Sequence, residues 1–294
     1  SPGIPSAGGT SFLWVLILAL GYFLKISFFP WTYLWSGIFA VITAILAALL
    51  HQQYFNIFRN SVIVAILCIL EWHLAWAAVS GMEIGLFTCL TLLFFLLLTR
   101  DTSPWLLGGL TGLIVLVRPE GVLLAAIYCF NLLLKHRREM KLVLLQGAAF
   151  TIMFLLINSP WIAFNLTYAH SPFPNTLTAK YMHYGYPWSL WKSLGFLWNV
   201  FLYFLDGALL FMFPGALFKL YNSIRTKTSL DPQPLYWFLA IIGVYAVAIP
   251  FIYDQGRYLI PLIPLVIIYG IEGMSQFLES ALSTSFRRMT VWIL

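Results

Sequence analysis

Four short stretches contain residues able to do chemistry. They are Ser80-Gly81-Met82-Glu83, Arg118-Pro119-Glu120-Gly121, Pro174-Asn175-Thr176 with Lys180, and Tyr253-Asp254-Gln255-Gly256-Arg257-Tyr258. Carboxylates such as Glu83, Glu120 and Asp254 can move protons, while Arg118, Lys180 and Arg257 can hold a phosphate or carboxylate. A site with both kinds suits chemistry on an anionic substrate. Each residue also has a plainer reading. Glu83 can cap the helix that starts beside it. Arg118 and Glu120 can pair or fix their turn, Arg257 can pair with Asp254, and Lys180 can be a surface lysine. Glu71 and His73, two apart in one apolar block, point in different directions if the block is a continuous helix. One then faces a cavity and the other is a satisfied interior group. Asp206 has the same ambiguity.

The elements that position these residues are membrane helices. Of 294 residues 61% are apolar and 9% charged, against roughly 45–50% and 25% in soluble domains. The apolar residues fall in blocks such as Trp31–Leu50, Ser61–Val79 and Leu142–Phe164. Each is near the ~20 residues that cross ~30 Å of hydrocarbon as a helix. Backbone groups in lipid must be satisfied internally, and the blocks lack the alternation of a barrel strand, so the fold class is all-α and polytopic. Nine spans are expected near 32–50, 61–79, 84–99, 105–117, 121–134, 142–164, 196–218, 235–253 and 258–278. A single run through 105–134 would bury Arg118 and Glu120 in lipid, which favours two short helices meeting at the Pro-Gly turn.

Charge sets the orientation. Eleven of the 16 basic residues lie in one set of alternate loops: Arg59, Arg100, Lys135, Arg137, Arg138, Lys141, Lys219, Arg225, Lys227, Arg287 and Arg288. That set is cytoplasmic by the positive-inside rule, which puts all four chemistry-bearing stretches on the outer face. Segment 11–27 is marginal in length and carries Lys25, so an interfacial or re-entrant outer-face helix is favoured over a full span. The outer loop 165–195 is rich in Pro, Tyr, Trp and His, as an interfacial belt also is.

Several classes are excluded. The net charge of +6 is explained by topology rather than by nucleic acid. No phosphate-binding glycine signature occurs, so no soluble nucleotide-sugar domain is expected. The five histidines are scattered over both faces and no metal motif exists. No cofactor is called for, though the carboxylates leave a divalent metal open. Cys68, Cys89 and Cys129 lie in apolar blocks and read as small buried residues.

Gly9-Thr10-Ser11-Phe12-Leu13-Trp14, Ser80-Gly81-Met82-Glu83, Arg118-Pro119-Glu120-Gly121, Pro174-Asn175-Thr176 followed by Ala179-Lys180, and Gly256-Arg257-Tyr258-Leu259-Ile260-Pro261-Leu262-Ile263-Pro264 resemble in their order the GT-C superfamily of polytopic glycosyltransferases. Its bacterial arabinofuranosyl- and mannosyltransferase-like branches are nearest. The resemblance implies a polyprenyl-phosphate sugar as donor and a glycan, lipid or protein hydroxyl as acceptor. It also implies inverting transfer at the outer face of a bacterial cytoplasmic (inner) membrane, among membrane lipids. Segment 11–27 becomes a juxtamembrane helix, and Glu83 the acid of the second outer loop. Arg118, Lys180 and Arg257 become ligands of the lipid phosphate, with Glu120, Asn175, Asp254 and Tyr258 lining the same site.

The resemblance places the main catalytic acid in a first outer loop preceding Ser1, so the catalytic base is unknown and Glu83 is a secondary candidate. Both ends read as truncated: Ser1 is no initiator, and Val291–Leu294 looks like the start of a further span. The chain is then one transmembrane domain: 1–31 outer loop and juxtamembrane helix, 32–278 bundle, 279–294 cytoplasmic loop and next span. As a piece of a longer enzyme it is expected to be inactive alone. Two rivals remain: a secondary transporter or lipid flippase, and an O-antigen ligase- or polymerase-like enzyme. A transporter should show internal repeats, which are not seen here.

Overall fold

The computed structural model describes residues 9–170, 189–228, 230–248, 250 and 256–293, and every regular element among them is helical. In order these are α1 (Phe12–Phe23), α2 (Phe28–Phe55), α3 (Phe58–Leu70), α4 (Trp72–Val79), α5 (Ile84–Thr99), α6 (Pro104–Val117), α7 (Val122–Lys135), α8 (Met140–Ala169), α9 (Leu190–Tyr203), α10 (Leu209–Thr226), α11 (Gln233–Ala248) and α12 (Ile263–Ile293). Short 3-10 turns precede α7 and α12.

Three segments are long and apolar enough to cross a membrane: Phe28–Phe55, Met140–Tyr168 and Ile260–Ala281. The pair α3 and α4, bent by 52°, makes a fourth if it is one broken span. The outside of α8 is bare hydrocarbon side chain, with Leu144 68% and Leu145 67% exposed. A surface of that kind has no stable place against water, so this is an integral membrane protein.

At the centre lies α5, buried on most of its faces and packed between α2 and α6. With 16, 14 and 16 residues, α5, α6 and α11 are about 24, 21 and 24 Å long, short of ~30 Å of hydrocarbon. The 28 and 30 residues of α2 and α8 reach about 42 and 45 Å. Gly85, at the start of α5, lies beside Phe39 rather than beside the first turn of α2. The α4–α5 and α6–α7 junctions and the turn from Gly256 into α12 meet at one end of the bundle, where Gly81 lies beside Thr32 near the start of α2.

The short α1 folds back along α2. A Cβ on Gly21 would stand 2.3 Å from the Trp31 ring, and the Trp31 indole donates to the Ile17 carbonyl at 2.8 Å. At its other end Trp14 donates to the Gly81 carbonyl at 3.2 Å, and Phe12 stacks on Trp161 at 4.5 Å. Twelve residues give about 18 Å, too short to span. The helix instead lies against α2 and reaches the Gly81 turn.

Two expected spans are interrupted. Block 61–79 breaks at Glu71, whose backbone is extended (φ −68°, ψ 122°). Block 196–218 breaks between Tyr203 and Leu209, where Gly207 has φ +55°. The breaks face each other, since a Cβ on Gly207 would meet Trp72 at 2.7 Å and Glu71 at 3.9 Å. Polar groups freed by one break are thus near polar groups of the other, which is what tolerates a break at this depth.

Helices α10 and α12 make the closest approach. A Cβ on Gly273 would lie 1.8 Å from the Gly215 carbonyl oxygen, and one on Gly215 lies 2.5 Å from that of Gly270. Small residues let membrane helices touch backbone to backbone. Gly273→Leu is expected to push the pair apart and cost about 3 kcal/mol, read as a lowered thermal midpoint in detergent. Gly195→Leu, where a Cβ meets nothing within 4 Å, should leave the midpoint unchanged.

Candidate functional site

A charged cluster built from three helix junctions forms the floor of the candidate site. The residue before a proline avoids the helical region, so Arg118 ends α6 with an extended backbone (φ −151°, ψ 134°). That turn carries its side chain across to α5. Its Nη1 donates to Glu83 Oε1 at 3.0 Å, and its Nη2 donates to Glu120 Oε1 at 2.9 Å. Glu83 makes no side-chain capping bond to α5, so the ion pair takes the place of the cap. Arg118 and Glu120 do pair, as one reading of their turn required, and Glu83 joins them from 35 residues away.

Two tyrosines complete the floor. The Tyr245 hydroxyl on α11 donates to Glu120 Oε1, and its ring stacks on Tyr258 at 4.2 Å. Tyr258 in turn lies under two guanidinium groups, with Arg118 Cζ 4.9 Å and Arg257 Cζ 5.0 Å from its centroid. Arg257 Nη2 also donates to the Tyr258 hydroxyl at 3.0 Å. Cation–π contacts of this kind strengthen when desolvated. The backbone that aims Arg257 is set by Gly256, at φ +69°. A side chain there would be strained and would strike the Tyr203 ring at 2.3 Å.

Electrostatically the floor is balanced, with two arginines and two glutamates. Arg118 is nearly inaccessible, its side chain 7% exposed against 17% for each glutamate. Burial alone would push the Glu120 carboxyl up, but the adjacent Arg118 charge and the bonds from Arg118 and Tyr245 outweigh it and lower it to about 2. Arg118 is held charged by the same carboxylates against the opposing effect of burial. Arg118 and Glu120 are therefore a fixed ionic pair at any ordinary pH, while Arg257 is half-buried at the edge of the cluster.

Of the eight residues expected in the site, Glu83, Arg118, Glu120, Arg257 and Tyr258 come together. Asn175, Lys180 and Asp254 lie outside the described residues. Tyr245 was not foreseen, because a tyrosine near the end of an apolar helix reads as an interfacial anchor. Trp14, which ties α1 to the Gly81 turn, lies in a stretch that carried the resemblance.

A second polar group lies at the paired helix breaks. The expectation that Glu71 and His73 diverge fails because the helix ends between them. Glu71 Oε2 accepts from the Leu74 amide at 3.0 Å and caps α4, and Oε1 meets His73 Nδ1 at 2.7 Å. The His73 ring packs 4.4 Å from Tyr203, the same ring that sits under Gly256. Asp206 turns outward and accepts from the Gly207 amide at 2.7 Å. Among the described residues no three His, Cys, Asp or Glu are grouped to hold a metal ion. No known protein family, curated protein or solved structure matches the chain.

Proposed function

We propose that the chain is the transmembrane part of a glycosyltransferase that takes sugar from a polyprenyl-phosphate donor at the outer face of a membrane. One observation carries the reading. Separate stretches that were expected on one face meet as a mixed ionic cluster among apolar helices, with Arg118 buried and Arg257 half-buried. A lipid-borne anion suits such a place, since its tail can lie along the apolar helices while its phosphate reaches the cluster.

The division of labour follows from the contacts. Arg118 has both Nη groups on carboxylates and acts as a positioning residue, holding Glu83, Glu120 and the Tyr258 ring in register. Arg257 is the phosphate ligand, its guanidinium able to meet two phosphate oxygens at once. In the transfer step the acceptor hydroxyl loses its proton to a carboxylate and its oxygen bonds to the anomeric carbon. The bond from that carbon to the phosphate oxygen breaks, and polyprenyl phosphate leaves with the electron pair, its charge stabilised by arginine. Glu83, at the α4–α5 junction, is the carboxylate of this chain placed to take part.

The same reading completes the topology as nine spans with the floor facing outside. In a chain whose three cysteines are replaced by serine, Leu190→Cys should react with an impermeant maleimide applied to intact cells and Arg138→Cys should not. The reverse pattern would put the floor on the wrong side for this chemistry. One observation favours a second reading: Glu71 and His73 form a buried ionisable pair inside the bundle, as proton-coupled transporters have. Proton-dependent solute flux in proteoliposomes, abolished by His73→Gln, would favour that reading instead.

A further inference from the structure

Away from the charged cluster, a cavity of about 490 Å³ opens between α10, α11 and the first part of α12, within the roughly 300–1,000 Å³ of ordinary ligand sites. Its walls are almost wholly apolar, including Phe213, Leu217, Leu220, Phe238, Leu265 and Val266. Leu217, at the end of the expected span 196–218, is 49% exposed, and Ile224, in the basic segment beyond it, is 72% exposed, which puts its mouth where the expected topology passes from hydrocarbon to head groups.

The polar groups sit at one end. There α10 stops at Lys227, a left-handed cap at φ 56°. Ser223 donates to the Thr228 carbonyl at 2.5 Å, which closes the helix end and leaves the Lys227 ammonium on the rim. Asp231 accepts from the Gln233 amide at 3.3 Å and caps α11, so the rim carries both signs of charge. Arg225 adds a second exposed cation nearby. A long apolar slot that opens into lipid and ends at a lysine matches an acyl chain attached to a phosphate head group.

We infer that this cavity seats one acyl chain of a phospholipid from the leaflet on the Lys227 side, with the lipid phosphate at Lys227. The inference rests on the chain lying in a membrane and is independent of its enzymatic activity. Neither the donor lipid nor the outer-face cluster takes part.

The test uses the full chain in phosphatidylcholine nanodiscs containing a phosphatidylethanolamine with a diazirine midway along one acyl chain. After irradiation, label should concentrate on the segments 213–224 and 235–238, above the level on the exposed face of α8. Ala216→Phe, which fills the slot, should reduce that label to the α8 level. Lys227→Glu should reduce it at least about fivefold, since it removes one favourable charge at the membrane surface and puts an unfavourable one in its place, and Lys227→Arg should retain it. If Ala216→Phe does not fold, the two Lys227 variants decide alone. Equal label on α8 and the slot in the native chain, or label indifferent to Lys227→Glu, would mean bulk lipid contact only and would overturn the proposal.

Discussion

Arg118→Met is expected to lower the stability of the bundle by about 3–5 kcal/mol and to abolish donor binding. Methionine keeps the length and apolar bulk of the arginine stem but leaves Glu83 and Glu120 facing each other in a nearly dry floor. Removing one partner of a buried ion pair costs far more than the pair contributes, because the remaining charge has neither water nor a counterion. Tyr258 also loses the guanidinium above its ring. The measurement is thermal unfolding in detergent micelles. A specific rescue accompanies it: adding Glu83→Gln and Glu120→Gln to Arg118→Met should recover most of the lost stability, since two amides do not repel. Donor binding should stay lost, because the floor no longer holds Tyr258 and Arg257. A triple variant no more stable than Arg118→Met would show that the loss comes from packing and that the ionic trio is incidental.

Arg257 should show a functional effect with little change in stability. Arg257→Ala is expected to weaken donor binding about tenfold to a hundredfold, because a charge-assisted contact contributes about 1.5–3 kcal/mol. Arg257→Lys should fall between, since an ammonium is a point charge where a guanidinium meets two oxygens. In an assay of sugar transfer both changes should raise the apparent KM for donor lipid more than they lower kcat. The reason is the frame: Gly256 at φ +69°, Tyr203 packed under it and Tyr258 beside it fix where the side chain goes. If Arg257 serves only to pair with Asp254, then Asp254→Ala should reproduce the defect and the double variant should be no worse than either single change. That result, with donor binding unchanged, would make Arg257 part of the scaffold.

The parts of this site that the sequence made legible are those set by charge and by proline. Alternating basic loops sorted Glu83, Arg118, Glu120 and Arg257 onto one face before any contact was known, and Arg118-Pro119 announced a helix end. The parts that stayed hidden depend on partners distant in the chain. Residues 61–79 are uniformly apolar apart from Glu71 and His73, so hydropathy draws one helix through them. The break exists because Glu71 caps α4 and His73 meets Tyr203, some 130 residues on. Tyr245 is hidden for the same reason, as its role is set by Glu120 and Tyr258, not by its neighbours in α11. The number of spans is obscured because α5, α6 and α11 are shorter than the hydrocarbon core of a bilayer.

The most direct test of outer-face recognition of a lipid-linked sugar phosphate is equilibrium binding of a radiolabelled polyprenyl-phosphate sugar to the purified chain in nanodiscs. Saturable binding that unlabelled polyprenyl phosphate displaces, that the uncharged polyprenol and nucleotide sugars do not, and that Arg257→Ala weakens at least about tenfold is the predicted result. Uptake that does not saturate, that polyprenol displaces equally well, or that is the same in Arg257→Ala would contradict it.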